Sequence, residues 1–126
     1  MGAIKGIGTD IVEIARLQKV IDRQGDKFAQ RILTDEEFAT YQQSKTAIKF
    51  LAKRFAAKEA AAKAIGTGIG RGIGWHDFNI GHDDLGKPEL QVSGGAKERM
   101  DVLGANQADV SISDEQQYAI AFVVLS

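Results

Sequence analysis

Between residues 46 and 65 the chain carries alanine at 47, 52, 56, 57, 60, 61, 62 and 64. No other stretch limits the fold as strongly. Alanine is the best intrinsic helix former, so the run predicts one long helix. Ile48, Leu51, Phe55 and Ala62 line up as its apolar stripe, with Glu59 at the edge of that stripe. The surrounding alanines let other elements come close. Arg54, Lys58 and Lys63 share the helix with Glu59.

Residues 3–12 read as a strand. Ile7, Thr9 and Ile11 fall on one face, and Gly6, Gly8, Asp10 and Val12 on the other. The two glycines beside Asp10 have two readings: they clear space for a ligand over the carboxylate, or they let another backbone pack closely. A helix over 13–24 follows, with Ile14, Leu17 and Ile21 inward and Gly25 ending it. Thr34-Asp-Glu-Glu37 is a capping box that starts a helix over 35–43, and it accounts for Glu37 without any chemistry.

Beyond the long helix, Gly66 is the expected C-cap, and the glycines up to Gly74 are expected to form a mobile loop able to cover a ligand. They are not a dinucleotide or P-loop motif, because those glycines precede a helix and these follow one. From residue 75 the apolar period becomes two. Strands are predicted over 75–80 and 89–93, a short helix over 95–104, and a closing hairpin from 108–113 and 118–125. Neither repeats nor linkers interrupt the pattern, so residues 1–126 are expected to form a single domain.

Composition then removes whole classes of function. A net charge of −1 supplies no global field toward nucleic acid or membrane. The absence of cysteine excludes thiol nucleophiles, disulfides and thiolate metal sites. No apolar run approaches membrane-spanning length and no signal segment opens the chain, so the expected location is the cytoplasm. His76 and His82 lack metal-ligand spacing, and no Gly-x-Ser-x-Gly elbow occurs.

What remains is two acids and several cations. Asp10 and Glu59 are hard anionic oxygens of the kind magnesium takes from a protein, and neighbouring Lys and Arg can meet phosphate charge. That set points to phosphoryl-group chemistry. On the first helix Arg16, Lys19 and Arg23 share the face opposite Ile14, Leu17 and Ile21. Such a face is an ordinary solvated surface or a dock for an acidic protein partner; with no aromatics interleaved, nucleic acid is disfavoured.

Two motifs give a family resemblance. Gly6-Ile-Gly-Thr-Asp-Ile-Val-Glu-Ile-Ala-Arg16 and Arg54-Phe-Ala-Ala-Lys-Glu-Ala-Ala-Ala-Lys-Ala-Ile-Gly-Thr-Gly68, supported by Leu85-Gly-Lys-Pro88 and the closing hairpin, resemble the small bacterial 4′-phosphopantetheinyl transferases. The resemblance covers essentially the whole chain. It implies their α+β fold, an antiparallel sheet packed with a long helix, and a homotrimer with clefts between subunits. It implies transfer of 4′-phosphopantetheine from coenzyme A to a serine of apo acyl carrier protein, with Mg2+ held by Asp10 and Glu59 and assisted by Lys63. Arg54, Lys58, Lys63, Gly66 and Thr67 are then the expected coenzyme A contacts. Arg16, Lys19 and Arg23 are expected on the carrier, with Lys27 and Arg31 as weaker matches. Asp114 stands where many relatives have histidine, so no histidine role transfers there. Two other readings keep part of the site: a nucleotide hydrolase, for which the basic helix has no use, and a non-catalytic binding module, which needs no acid pair.

Overall fold

A computed structural model describes residues 3–126. In chain order the elements are β1 (Gly6–Glu13), α1 (Ile14–Gln24), α2 (Asp26–Ile32), α3 (Asp35–Gln43), α4 (Ala47–Ala64), a 3-10 turn (Trp75–Asp77), β2 (Phe78–His82), β3 (Pro88–Val92), α5 (Gly94–Leu103), β4 (Ala108–Asp114) and β5 (Tyr118–Leu125). β5 lies between β1 and β4 in an antiparallel three-stranded sheet, and β2 pairs with β3 separately. The α+β expectation holds, with the antiparallel strands divided between two sheets.

α4 crosses the inner face of the larger sheet. Ala119, Ala121, Val123 and Leu125 of β5 point into the core, as do Val12 of β1 and Val110 of β4. The alanines of α4 meet them, and Ala52, Ala56, Ala57, Ala60 and Ala62 are fully buried. On the other side of the helix Phe28 packs on Phe55, and Phe55 stacks on Trp75 at 5.2 Å between ring centres.

The structure decides between the two readings of the β1 glycines. A Cβ on Gly6 would stand 2.1 Å from the carbonyl oxygen of Ala64. On Gly8 it would stand 2.0 Å from the carbonyl oxygen of Ala60 and 2.7 Å from the nitrogen of Ala64. The glycines are therefore filled by the backbone of α4; they do not open space for a ligand. Small residues on both elements let strand and helix approach to main-chain contact.

Three expectations need correction. Gly25 ends α1, but Asp26–Ile32 forms a second helix where none was expected. At 7 residues it is too short to show a period, and only Ala29 and Ile32 are buried. The strand expected from residue 75 begins at Phe78, because the Asp77 carboxylate accepts the N–H groups of Gly74 (3.3 Å) and Ala96 (3.1 Å) and holds the chain in a turn. The expected mobile loop is folded on itself. Gly66 and Gly68 donate to the carbonyls of Lys63 and Ala62, closing the helix end. Gly70 and Ile73 exchange two hydrogen bonds of 2.8 and 3.0 Å around a tight Arg71-Gly72 turn, and Ile73 is buried.

Replacing Gly8 should test the main-chain contact. Gly8→Ala forces the strand off α4, and overpacking of this kind costs about 1–3 kcal/mol. Urea denaturation should show a lower midpoint with an unchanged slope. A midpoint equal to that of the wild type would mean the contact has slack.

Candidate active site

The helix residues Lys58, Glu59 and Ala60 point in three directions. Ala60 faces β1, Lys58 faces the interior, and Glu59 faces a cleft of about 440 Å³. Asp10 reaches the same cleft from β1, because it lies two residues beyond Gly8 on the strand face covered by α4. Lys63 and Arg16 line it too, and Leu17, Val20, Phe28 and Phe55 give it an apolar wall. The two motifs therefore meet in space, over 48 residues of sequence, through one strand–helix contact.

Lys63 is not paired with Glu59, the partner its helical spacing suggests. Its Nζ donates to Asp10 Oδ1 at 3.1 Å and to the Thr9 carbonyl at 3.0 Å. The Asp10 side chain is 17% exposed and that of Lys63 is 53% exposed, so the lysine is the more open partner. Glu59 carries the electrostatic strain of the cleft. Burial raises its pKa first, the negative charge of Asp10 raises it further, and Lys63 offsets part of this.

Two carboxylates facing one cleft suit a hard divalent cation. No group of three or more His, Cys, Asp and Glu suited to a metal occurs among the described residues. A pair is enough for magnesium, which binds through one or two carboxylates and takes its other oxygens from water and substrate phosphate. Asp10 and Glu59 fit that role.

Other expected phosphate contacts lie elsewhere. Lys58 is fully buried and donates to the Ile32 carbonyl at 2.7 Å and to Glu37. It cannot reach a ligand, and the expectation that it touches coenzyme A is corrected. Arg54 is 4% exposed, with its Nε 3.7 Å from Glu37 Oε2 and its guanidinium 4.4 Å above the Phe50 ring. It borders a separate cleft of about 340 Å³ beside His82. Gly66 and Thr67 follow the end of α4, where the Thr67 hydroxyl donates to the Gly68 carbonyl.

Arg16, Lys19 and Arg23 are exposed on α1, and Lys27 and Arg31 are exposed on α2. Arg16 borders both the acid cleft and a shallow groove shared with Lys19 and Arg23, so the basic face opens directly into the cleft. Asp114 pairs with Lys49 at 3.6 Å and Lys53 at 4.0 Å. His76 shares a 2.9 Å hydrogen bond with the Gln30 carbonyl.

Sequence reasoning missed two parts of this region. Glu37 does cap α3, with its Oε1 accepting from Thr34 N–H at 2.9 Å, but it is also the buried counter-ion of Lys58. A signal was present: Lys58 stands among Ala56, Ala57, Ala60 and Ala61, where a solvated cation has no place. The apolar wall from Phe28 belongs to α2, the helix that was not expected.

Comparison with known proteins bears on this site. The family model of the 4′-phosphopantetheinyl transferase superfamily matches residues 6–123, a span that includes Asp10, Glu59 and Lys63. The holo-[acyl-carrier-protein] synthase of Vibrio parahaemolyticus is 53% identical over 123 residues, covering 98% of each chain. The crystal structure of the Neisseria meningitidis holo-[acyl-carrier-protein] synthase superposes with a TM-score of 0.91 at 44% identity, covering 98% of this chain and 99% of that one. The Helicobacter pylori synthase in complex with coenzyme A superposes with a TM-score of 0.83 at 36% identity, covering 95% and 99%.

The strain on Glu59 has a thermodynamic signature. Its pKa in the folded chain lies above the ordinary 4.5, so folding disfavours the ionised carboxylate. The cost is present at neutral pH and vanishes as pH falls below the ordinary value. Glu59→Gln should therefore melt higher than the wild type at pH 7, and the gap should close near pH 4. Thermal denaturation at the two pH values checks this; a variant that melts lower at pH 7 would show that Glu59 is held by favourable partners.

Proposed function

The chain belongs to the holo-[acyl-carrier-protein] synthases of the 4′-phosphopantetheinyl transferase superfamily, and we propose that it moves 4′-phosphopantetheine from coenzyme A to a serine hydroxyl of apo acyl carrier protein, releasing adenosine 3′,5′-bisphosphate. The observation that carries this reading is the meeting of Asp10, Glu59, Lys63 and Arg16 in one cleft that opens onto a basic helix face. A small-molecule hydrolase has no use for that face.

In this reading Asp10 and Glu59 hold Mg2+, which when bound neutralises the diphosphate of coenzyme A and favours in-line displacement at its β-phosphorus. Lys63, exposed and flexible, turns from Asp10 to a phosphate oxygen. A water held by Glu59 takes the proton of the carrier serine as its oxygen attacks. The new bond joins serine oxygen to the β-phosphorus. The bond that breaks leaves the bridging oxygen on adenosine 3′,5′-bisphosphate. Arg16, Lys19 and Arg23 receive an acidic carrier surface and steer it to the cleft.

The outer face of the larger sheet supports an assembly. Ile7, Ile11, Ile120 and Phe122 are 59%, 60%, 43% and 44% exposed, and Ile11 lies directly opposite Ile120 in the β1–β5 register. An apolar sheet face of this kind marks an interface. We propose that further copies of the chain cover it in a homotrimer. No described helix is long and apolar enough to cross a membrane, and a cytoplasmic location is part of the proposal.

The deciding experiment is to incubate the protein with apo carrier, coenzyme A and magnesium and to weigh the carrier. It should gain one phosphopantetheine. Loss of an outer-shell partner of a metal site costs about 10–100-fold, so Asp10→Ala and Glu59→Ala, which remove the ligands themselves, should cost more. Arg23→Glu should raise the KM for the carrier and leave that for coenzyme A unchanged, with added salt having a similar effect on the wild type. No mass gain by the wild type would sink the reading. Sedimentation velocity should show a single trimeric species; an active monomer would exclude the proposed assembly.

A further inference from the structure

Beside the acid cleft lies a buried ion pair that the transfer reaction does not use. Lys58 is 0% exposed and Glu37 2%. Glu37 Oε1 accepts from Lys58 Nζ and from the Thr34 N–H, and Oε2 accepts from the Ile80 N–H at 2.8 Å. Arg54 Nε lies 3.7 Å from the same Oε2. Lys58 also donates to the Ile32 carbonyl at the end of α2. One carboxylate thus ties the start of α3, strand β2 and two successive turns of α4, while its lysine partner adds α2.

Packing alone does not require this. Apart from Arg54, the other buried positions of α4 are alanine and leucine, and a buried ion pair gives little stability over an apolar pair of similar volume. What the pair adds is directional. A hydrophobic contact lets a helix turn about its axis; a lysine held by a carboxylate and a carbonyl does not.

We infer that Glu37 and Lys58 are positioning residues, whose ion pair fixes the rotation of α4 and so the place of Glu59 in the cleft. The inference rests on the metal-holding role proposed above for Glu59. Consecutive helical side chains are about 100° apart. Glu59 therefore stands between Lys58, gripped by Glu37, and Ala60, pressed on Gly8. A side-chain tip about 5–6 Å from the helix axis moves about 1 Å for each 10° of rotation. A displacement of about 1 Å can cost about 100-fold in rate. The glycine contact limits that rotation from one side of Glu59 and the ion pair from the other. Arg54, one turn before Lys58, adds its charge 3.7 Å from the same carboxylate without a hydrogen bond from its Nε, so the directional hold on α4 comes from Lys58.

The test uses the full chain with two variants, Lys58→Met and the double variant Glu37→Gln with Lys58→Met. The second removes both charges of the pair; because it also takes the carboxylate from Arg54, Glu37→Gln alone is measured beside them as the control for that buried orphan. Calorimetry with Mg2+ alone should show affinity weakened by about 10–100-fold in the double variant, the range for lost supporting contacts. Its kcat should fall in step, while the KM for the carrier stays at the wild-type value because α1 is untouched. A folded double variant with wild-type Mg2+ affinity and kcat overturns the inference. So does a double variant that fails to fold, which would assign the pair to stability alone, or one whose carrier KM shifts as far as its Mg2+ affinity. A wild type that binds Mg2+ without transferring sinks the proposed reaction and leaves the calorimetric comparison to decide this inference.

Discussion

The main-chain contact between β1 and α4 is the constraint on which the site depends. Gly8 lies so close to Ala60 that its missing side chain is replaced by a carbonyl oxygen. That approach brings Asp10, two residues along the strand, to the level of Glu59 and Lys63, on neighbouring positions of the helix. Any side chain at Gly6 or Gly8 would separate strand from helix and the two acids with them. Packing and chemistry are one requirement here, because the small residues that make the core close are those that set the distance across the cleft.

Charges are distributed unevenly about this helix, and the unevenness has a use. On its buried side, Lys58 and Arg54 both lie against the Glu37 carboxylate, Lys58 by a hydrogen bond and Arg54 by charge alone, its buried Nε making no hydrogen bond. On its open side, Glu59 and Asp10 share one cleft, with the half-exposed Lys63 bonded to Asp10. A fold optimised for stability alone would not leave like charges together. The cation proposed for this site would benefit from that arrangement, since its binding would relieve a repulsion already present.

The surface is divided in the same way. The face of α1 that carries Arg16, Lys19 and Arg23 runs into the cleft, while the apolar outer sheet face lies on β1 and β5. The proposed carrier surface and the proposed assembly surface thus lie on different elements. Arg16 is the hinge of this arrangement, belonging both to the basic face and to the cleft.

Much of this was legible in the chain itself. Alternation along β1, the alanine-rich helix, the capping box at Thr34 and the closing hairpin are local patterns, and each appears where its period placed it. The pairing of Asp10 with Glu59 was legible as chemistry, because few arrangements use two acids, clustered cations and no cysteine. Other features were not legible, and for one reason: they depend on partners remote in sequence. Glu37 looked like a cap because its cap partner is three residues away, whereas Lys58 is 21 residues away and Ile80 is 43. Lys63 stands one helical turn from Glu59, yet β1 brings Asp10 within its reach, and that contact cannot be read from the spacing. Both glycine readings were open until the position of α4 was known. Local periodicity determined which segments would be strand or helix; only tertiary packing decided which charges are buried as structural supports and which are left facing the cleft, because burial is a property of what the rest of the chain places on top.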